Sequence, residues 1–348
     1  MSSRRVAVLL GGHSGEHEVS VTSARNVIEA FDRSRWEAVP IGISKSGAWL
    51  SAEETAALLA AGASALENVG APLPEAQEAF GDLASCEIAF PLIHGTFGED
   101  GTLQGLLEML GMPFTGCGVT ASALGMDKAL MKALFREAGI PTARYGVIRS
   151  WDYTDHHFAV SYVDQTTGYP CFVKPANGGS SVGVSKVRSQ EDLEAALSHA
   201  FAFDEKLVVE EAIDGREIEC SVLGNEHPEA SVVGEIRPDR EFYDYDSKYS
   251  PESTTELVIP AAIDPARASE VRELAVRVFQ VLGCEGYARV DFFVTAAGNV
   301  LANEINTIPG FTSISMYPKL WEATGLGYTD LLTRILELGF ARHDRRAR

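Results

Sequence analysis

Short apolar runs, each stopped by glycine or a polar turn and followed by a helical period, recur along the first third of the chain. Val6-Ala7-Val8-Leu9-Leu10 is aliphatic and β-branched and ends in Gly11-Gly12, after which the spacing predicts a helix over residues 18–31. Further runs at residues 38–43 and 87–92 alternate with helical patterns at 52–61 and 101–110, as a parallel α/β layer would. That layer is expected to end near residues 113–118.

Residues 120–139 read as helical and Lys-bearing, and Gly139-Ile140-Pro141 stops them because proline disfavours a helical residue before it. A strand at 169–174, a Gly/Ser-rich turn and strands at 182–187 and 207–211 then predict a small α+β unit. Beyond residue 218 come a strand (219–223), a polar aromatic segment (241–249), a helix (265–282), strands at 286–294 and 300–305, and a terminal helix near 329–338. The expected division is an N-terminal α/β domain (1–118), a central subdomain (119–215) and a C-terminal subdomain (216–348). The stretch 149–167, with Trp151, His156 and His157, is expected to be a surface loop.

Composition narrows the chemistry. With 348 residues, 45% hydrophobic and 22% charged, the chain can bury several cores, and no apolar run approaches the roughly 20 residues of a membrane span. Met1-Ser2-Ser3-Arg4-Arg5 passes straight into a strand without the apolar stretch of a secretory signal, so a cytoplasmic location is expected. Five scattered cysteines predict buried thiols. Against 29 basic residues stand 49 acidic ones, a net charge of −20 that disfavours nucleic acid and anionic membranes as partners. A polyanionic substrate then needs local cations and a metal. The basic tail over 342–348 is expected to be a frayed terminus.

Val290-Asp291-Phe292-Phe293-Val294 and Val300-Leu301-Ala302-Asn303-Glu304-Ile305-Asn306, joined by a turn at Ala297-Gly298-Asn299, read as a hairpin. Alternation puts Glu304 and Asn306 on one face, where a neighbouring strand can bring Asp291: three hard oxygen donors suited to Mg²⁺. A second candidate is Lys174 at a strand end, followed by Pro175-Ala176-Asn177-Gly178-Gly179-Ser180-Ser181-Val182-Gly183, a loop able to fold over polyphosphate. It is not the P-loop pattern, where the lysine follows the glycines. Taken alone, this loop is equally a flexible hairpin, and an isolated helical lysine such as Lys128 in Gly125-Met126-Asp127-Lys128 is usually solvated.

The ordered set Lys128, Lys174 before a Gly/Ser loop, Glu210-Glu211, Arg289-x-Asp291 and Glu304-x-Asn306 resembles the ATP-grasp fold. Three further runs resemble D-alanine:D-alanine ligases: Leu10-Gly11-Gly12-His13-Ser14-Gly15-Glu16-His17-Glu18-Val19-Ser20, His94-Gly95-Thr96-Phe97-Gly98-Glu99-Asp100-Gly101, and Asn306-Thr307-Ile308-Pro309-Gly310-Phe311-Thr312. The resemblance spans residues 6–338 and implies a three-domain ATP-grasp fold and an ATP-dependent joining of two D-alanines through a D-alanyl phosphate. It also implies residue roles. Lys128, Lys174 and Ser180 would hold the ATP phosphates, with Glu210, Glu211, Ala212 and Ile213 on the adenine edge, Glu217 at the ribose and Lys248 in the lid. Asp291, Glu304 and Asn306 would hold Mg²⁺ or Mn²⁺, two ions in all. Arg289 and Gly310 would stabilise the oxyanion. Glu16, oriented by Ser181 and Tyr243 and with His94 close by, would take the ammonium of the first D-alanine; Ser315 and Lys248 would take the carboxylate of the second. Residues 241–249 resemble the family's mobile loop, where Tyr249 matches dipeptide-forming members. A homodimer is implied. The rival expectations are a D-alanine:D-lactate or other ATP-grasp amino-acid ligase, and a non-catalytic nucleotide-binding protein.

Overall fold

The computed structural model describes residues 3–64, 66, 71–72, 76–153, 155–238 and 255–347. Tyr243, Lys248 and Tyr249 lie outside the described residues.

The first sheet is parallel, in the order β2-β1-β3, with β1 at Arg4–Gly11, β2 at Trp36–Ile43 and β3 at Ile88–Pro91. Helices α1 (His17–Ala30), α2 (Ala52–Ala60), α3 (Gln77–Ala84) and α4 (Thr102–Met109) accompany it. Because side chains alternate along a strand, Val6, Val8 and Leu10 of β1 enter one core and Ala7 and Leu9 the core behind it. This explains an apolar run with no polar face. Ser51 and Glu54 form a capping box that starts α2.

Helices α5 (Val119–Met126) and α6 (Lys128–Glu137) follow, separated by Asp127, whose carboxylate accepts from the N–H groups of Ala129 and Leu130 and so restarts the helix. The second sheet is antiparallel, in the order β4-β7-β5-β6, with β4 at Tyr145–Arg149, β5 at Cys171–Pro175, β6 at Ser185–Val187 and β7 at Lys206–Glu211. Two helices, α7 (His156–Thr166) and α8 (Gln190–Phe201), pack on it. The stretch expected as a surface loop therefore contains a helix. Asp155 caps it at 2.8 Å from the Phe158 N–H, and Ala159 and Val163, one turn apart, are fully buried. Its apolar residues run almost contiguously from Phe158 to Val163, which hides the helical period. His156 faces Glu194 at 3.0 Å, and His157 is exposed.

The third sheet is antiparallel, β10-β9-β8-β11-β12, from β8 (Gly215–Gly224), β9 (Glu229–Arg237), β10 (Glu256–Val258), β11 (Gly286–Thr295) and β12 (Val300–Asn306). Helix α9 (Pro265–Val281) begins with proline behind an Asp264 cap and covers one face; α5 and α6 contribute Ala121, Met131 and Phe135 to the same core. Helices α10 (Met316–Thr324) and α11 (Tyr328–Arg346) complete the chain. The tail expected to fray is instead the end of α11. Buried Arg342 donates to the carbonyls of Phe114, at 2.7 Å, and Gly116, while Arg346 pairs with Glu108 and Glu285 at 3.0 Å. Unused carbonyls after β3 and a surplus of acids give these arginines partners. All five cysteines are buried and unbridged, as expected. Among the described residues no helix is long and apolar enough to cross a membrane.

Candidate active site

Two cavities meet between the second and third sheets. The larger, about 720 Å³, is lined by the Gly178 to Val182 loop, the end of β7 and the faces of β8, β11 and β12. The smaller, about 130 Å³, lies among Glu16, His94, Gly310 and Ser315. Lys128, Gly178, Gly179, Ser180, Glu219, Arg289 and Glu304 line both, so the dividing wall carries two cations and two carboxylates.

The β11–β12 hairpin sets Asp291 directly opposite Glu304 and Arg289 opposite Asn306, with a bulge immediately after Asp291. Bulges re-aim side chains beside functional sites. Arg289 grips both Asp291 oxygens at 2.7 Å and reaches Glu219 on β8 at 3.0 Å. Burial works against its charge, but Asp291 and Glu219 hold its pKa well above the usual value. Asn306 Oδ1 accepts from the Ile308 N–H at 3.0 Å, which fixes its amide oxygen at the cavity. Two carboxylates and an amide are a hard, all-oxygen set, and each oxygen engaged here keeps a further lone pair, so these residues fit a divalent cation of the Mg²⁺ kind. Among the described residues no three His, Cys, Asp or Glu side chains cluster as a metal site.

Lys174 points from β5 to Glu210 on β7, 2.5 Å away. The other Glu210 oxygen meets Lys132, whose side chain is 1% exposed. Burial would raise the Glu210 pKa, but the two lysines pull it down to about 2. Lys128 starts α6, docks its N–H on the Ala176 carbonyl at 2.9 Å, donates from Nζ to Gly178 at 2.5 Å and lies 3.9 Å from Glu304. The loop after Lys174 turns through Ser180 and Ser181 at φ 50° and 60°, a left-handed conformation costly for serine and kept only where the surroundings enforce it. A side chain at Gly179 would stand 3.1 Å from the Glu16 carboxylate, so glycine permits the loop to approach it. Glu211 turns away to Arg144 at 2.7 Å, and Ala212 gives its N–H to Pro170. Ala212, Ile213 and Glu217 line the larger cavity, as does Ser181.

Glu16 and Ser315 stand at the N-caps of α1 and α10, yet neither side chain caps its helix. Both line the smaller cavity instead. Ser315 Oγ lies 3.0 Å from the Thr312 N–H and 2.8 Å from the Thr312 hydroxyl, and a Cβ on Gly310 would come within 2.7 Å of it. His94 is buried; its Nδ1 donates to the Ile308 carbonyl at 2.8 Å and lies 3.5 Å from Glu99. Burial disfavours the charged ring, but Glu99 and Glu16 hold the His94 pKa above its ordinary value. His17, from the same Gly-rich run, is spent on backbone, with Gly12 at 2.6 Å and Leu66 at 2.8 Å.

Four residues here carry no role in the sequence reading: Lys132, Glu219, Glu99 and Asn303, the last lining the larger cavity. Lys132 follows Lys128 by one helical turn, and Glu219 follows Glu217 on one strand face, so both signals were present as spacings.

Two family profiles, described as the D-ala D-ala ligase N-terminus and C-terminus, match residues 5–117 and 134–337. D-alanine--D-alanine ligase A of Escherichia coli strain K12 is 48% identical, over 99% of this chain and 97% of its own length. The chain belongs to the D-Ala–D-Ala ligase family. A ligase of that family from Halothermothrix orenii is also 48% identical over 97% of the chain and 98% of its length. The solved D-alanine-D-alanine ligase of Coxiella burnetii superposes with a TM-score of 0.82 at 35% identity, covering all of this chain and 97% of that one. The VanG D-Ala:D-Ser ligase of Enterococcus faecalis reaches 0.81 at 33% identity, covering 97% and 99%. Ligases of this family use ATP and a divalent metal, and their ATP-grasp architecture is the one described above.

Proposed function

We propose that this chain joins two D-alanine molecules into D-alanyl-D-alanine for peptidoglycan precursors, converting ATP to ADP and phosphate. The observation that carries the reading is the shared wall. A γ-phosphoryl group held in the larger cavity would lie at Lys128, Arg289 and Glu304, next to a carboxylate held in the smaller one.

In this reading the carboxylate of the first D-alanine attacks the γ-phosphorus and ADP leaves; the amine of the second then attacks the acyl phosphate and phosphate leaves. Lys128, Lys174 and Ser180 hold the phosphates, the segment Glu210 to Ile213 faces the adenine and Glu217 the ribose. Glu16 receives the first ammonium beside His94, with Ser181 and Tyr243 orienting it. Ser315, with Lys248, receives the second carboxylate. Arg289 and the Gly310 N–H stabilise the tetrahedral oxyanion. Asp291, Glu304 and Asn306 would hold Mg²⁺ or Mn²⁺, two ions, which neutralise charge on the transferring phosphoryl group. A cytoplasmic homodimer fits this role.

ADP and phosphate release with Mg-ATP and D-alanine, run beside L-alanine, D-serine and D-lactate with products weighed by mass, tests the proposal. D-alanine-dependent release with D-alanyl-D-alanine as product is expected. A product containing D-serine or D-lactate in preference would reassign the second substrate.

A further inference from the structure

Lys132 is a cation placed where no substrate can touch it; burial pushes its pKa down, and the Glu210 carboxylate on its ammonium opposes that push. Its side chain is 1% exposed, and its Nζ meets Glu210, the Thr142 hydroxyl at 3.1 Å and the Asn303 carbonyl at 3.1 Å. These partners come from three places: β7 of the second sheet, the connection before β4, and β12 of the third sheet beside Glu304. Isolated burial of an ammonium is costly, so the position calls for a compensating gain.

Charge counting supplies one. Lys174 reaches the nucleotide cavity, but its ammonium lies 2.5 Å from the Glu210 carboxylate. That pair alone would be neutral and would attract a polyphosphate weakly. With Lys132 on the other Glu210 oxygen, two cations share one carboxylate and the trio carries a net positive charge; of the two cations only Lys174 lines the cavity. Glu210 fixes the direction of Lys174, and Lys132 offsets the charge that this fixing would otherwise cancel. The hydrogen bond to Asn303 also ties the trio to the strand that bears Glu304.

Resting on the ATP-site reading given above, we infer that Lys132 is a positioning residue for nucleotide binding, acting through Glu210 to keep the Lys174 ammonium both fixed and electrostatically available to the ATP phosphates. It touches neither ATP nor the reacting atoms.

The test measures Mg-ATP and D-alanine KM separately for Lys132→Met, Lys132→Arg, Lys174→Ala and the double variant Lys132→Met with Glu210→Gln, with thermal melts of each. Lys132→Met is expected to raise the ATP KM about tenfold or more while the D-alanine KM stays within about twofold, since one unit charge is lost near the phosphates alone. Lys132→Arg keeps the charge and is expected to retain most of the ATP affinity. The double variant removes both charges together and restores the net charge at Lys174, so it is expected to recover the part of the Lys132→Met loss owed to charge, while the fixing of Lys174 by Glu210 stays lost. A merely structural lysine predicts a lower melting temperature in Lys132→Met, relieved in the double variant, with the ATP and D-alanine KM values unchanged or moving together. An unchanged ATP KM in Lys132→Met, or no recovery in the double, overturns the inference. If Lys132→Met does not fold, the double variant decides: ATP affinity as poor as that of Lys174→Ala overturns it. Should Lys174→Ala itself leave ATP binding unchanged, the failure lies in the ATP-site reading.

Discussion

The two cavities hold their polar groups by different means. On the nucleotide side the charges sit on strands and on the first turns of α6, and they are locked to one another: Lys132 to Glu210 to Lys174, and Glu219 to Arg289 to Asp291. On the amino-acid side they sit at helix starts and turns, and backbone holds Ser315 at Thr312 and His94 at Ile308, with the His94–Glu99 pair at 3.5 Å as the exception. A polyanion needs charge that does not relax when the ligand leaves, and mutual pairing of buried groups supplies it. A small zwitterion needs a few donors and acceptors at set distances, and loops anchored by backbone bonds supply those.

The nucleotide side depends most on Lys174. Lys174→Ala should cut kcat/KM for ATP by roughly a thousandfold, because it removes a preorganised cation from the transferring phosphoryl group. Steady-state kinetics with ATP varied checks this, and an effect confined to the D-alanine KM would contradict the assignment of the two sides.

Acid should act mainly on the nucleotide side. Glu210 has its pKa lowered from 4.5 to about 2, so its contribution to stability is complete above pH 4.5 and is lost as pH falls through that window to about 2. Denaturant titrations between pH 5 and pH 2 should show stability falling by a few kcal/mol, with a shallower slope in Glu210→Gln. Identical slopes would mean that other carboxylates govern acid unfolding.

A smaller effect is expected from Glu16→Gln. It replaces a charge-assisted contact by a neutral one and should raise the KM for the first D-alanine about tenfold while leaving that for ATP nearly unchanged. Parallel changes in both would blur the line between the cavities.

Smallest is Ser51→Ala, which removes the capping box of α2, distant from both cavities. Stability should fall by about 1 kcal/mol in chemical denaturation with kcat unaltered.

Much of this was legible in the chain. The β11–β12 hairpin could be read because its apolar alternation leaves Asp291 and Glu304 as exceptions, and exceptions in an apolar strand announce a site. Lys174 and its loop could be read because glycines mark where backbone must turn. Helix α7 was hidden by a contiguous apolar run, and the end of α11 by its arginines, whose acceptors lie 226 and 228 residues away. Lys132 showed as a spacing one turn after Lys128, but its role was hidden for the same reason. A buried charge is explained only by its partners, and Asn303 is 171 residues distant.

Helix α11 has a consequence for how the molecule is made. Leu331, Leu332, Ile335 and Leu336 pack in the core that takes Val6, Val8 and Leu10 of β1. The ribosome thus delivers the first sheet long before the helix that covers one of its faces. Until α11 emerges, α1 covers that face only in part, and the apolar surface of the nascent sheet and of α1 that α11 later buries is open to the cell, a substrate for holding chaperones. A fusion or truncation that delays or removes α11 would prolong that exposure, with aggregation as its first sign.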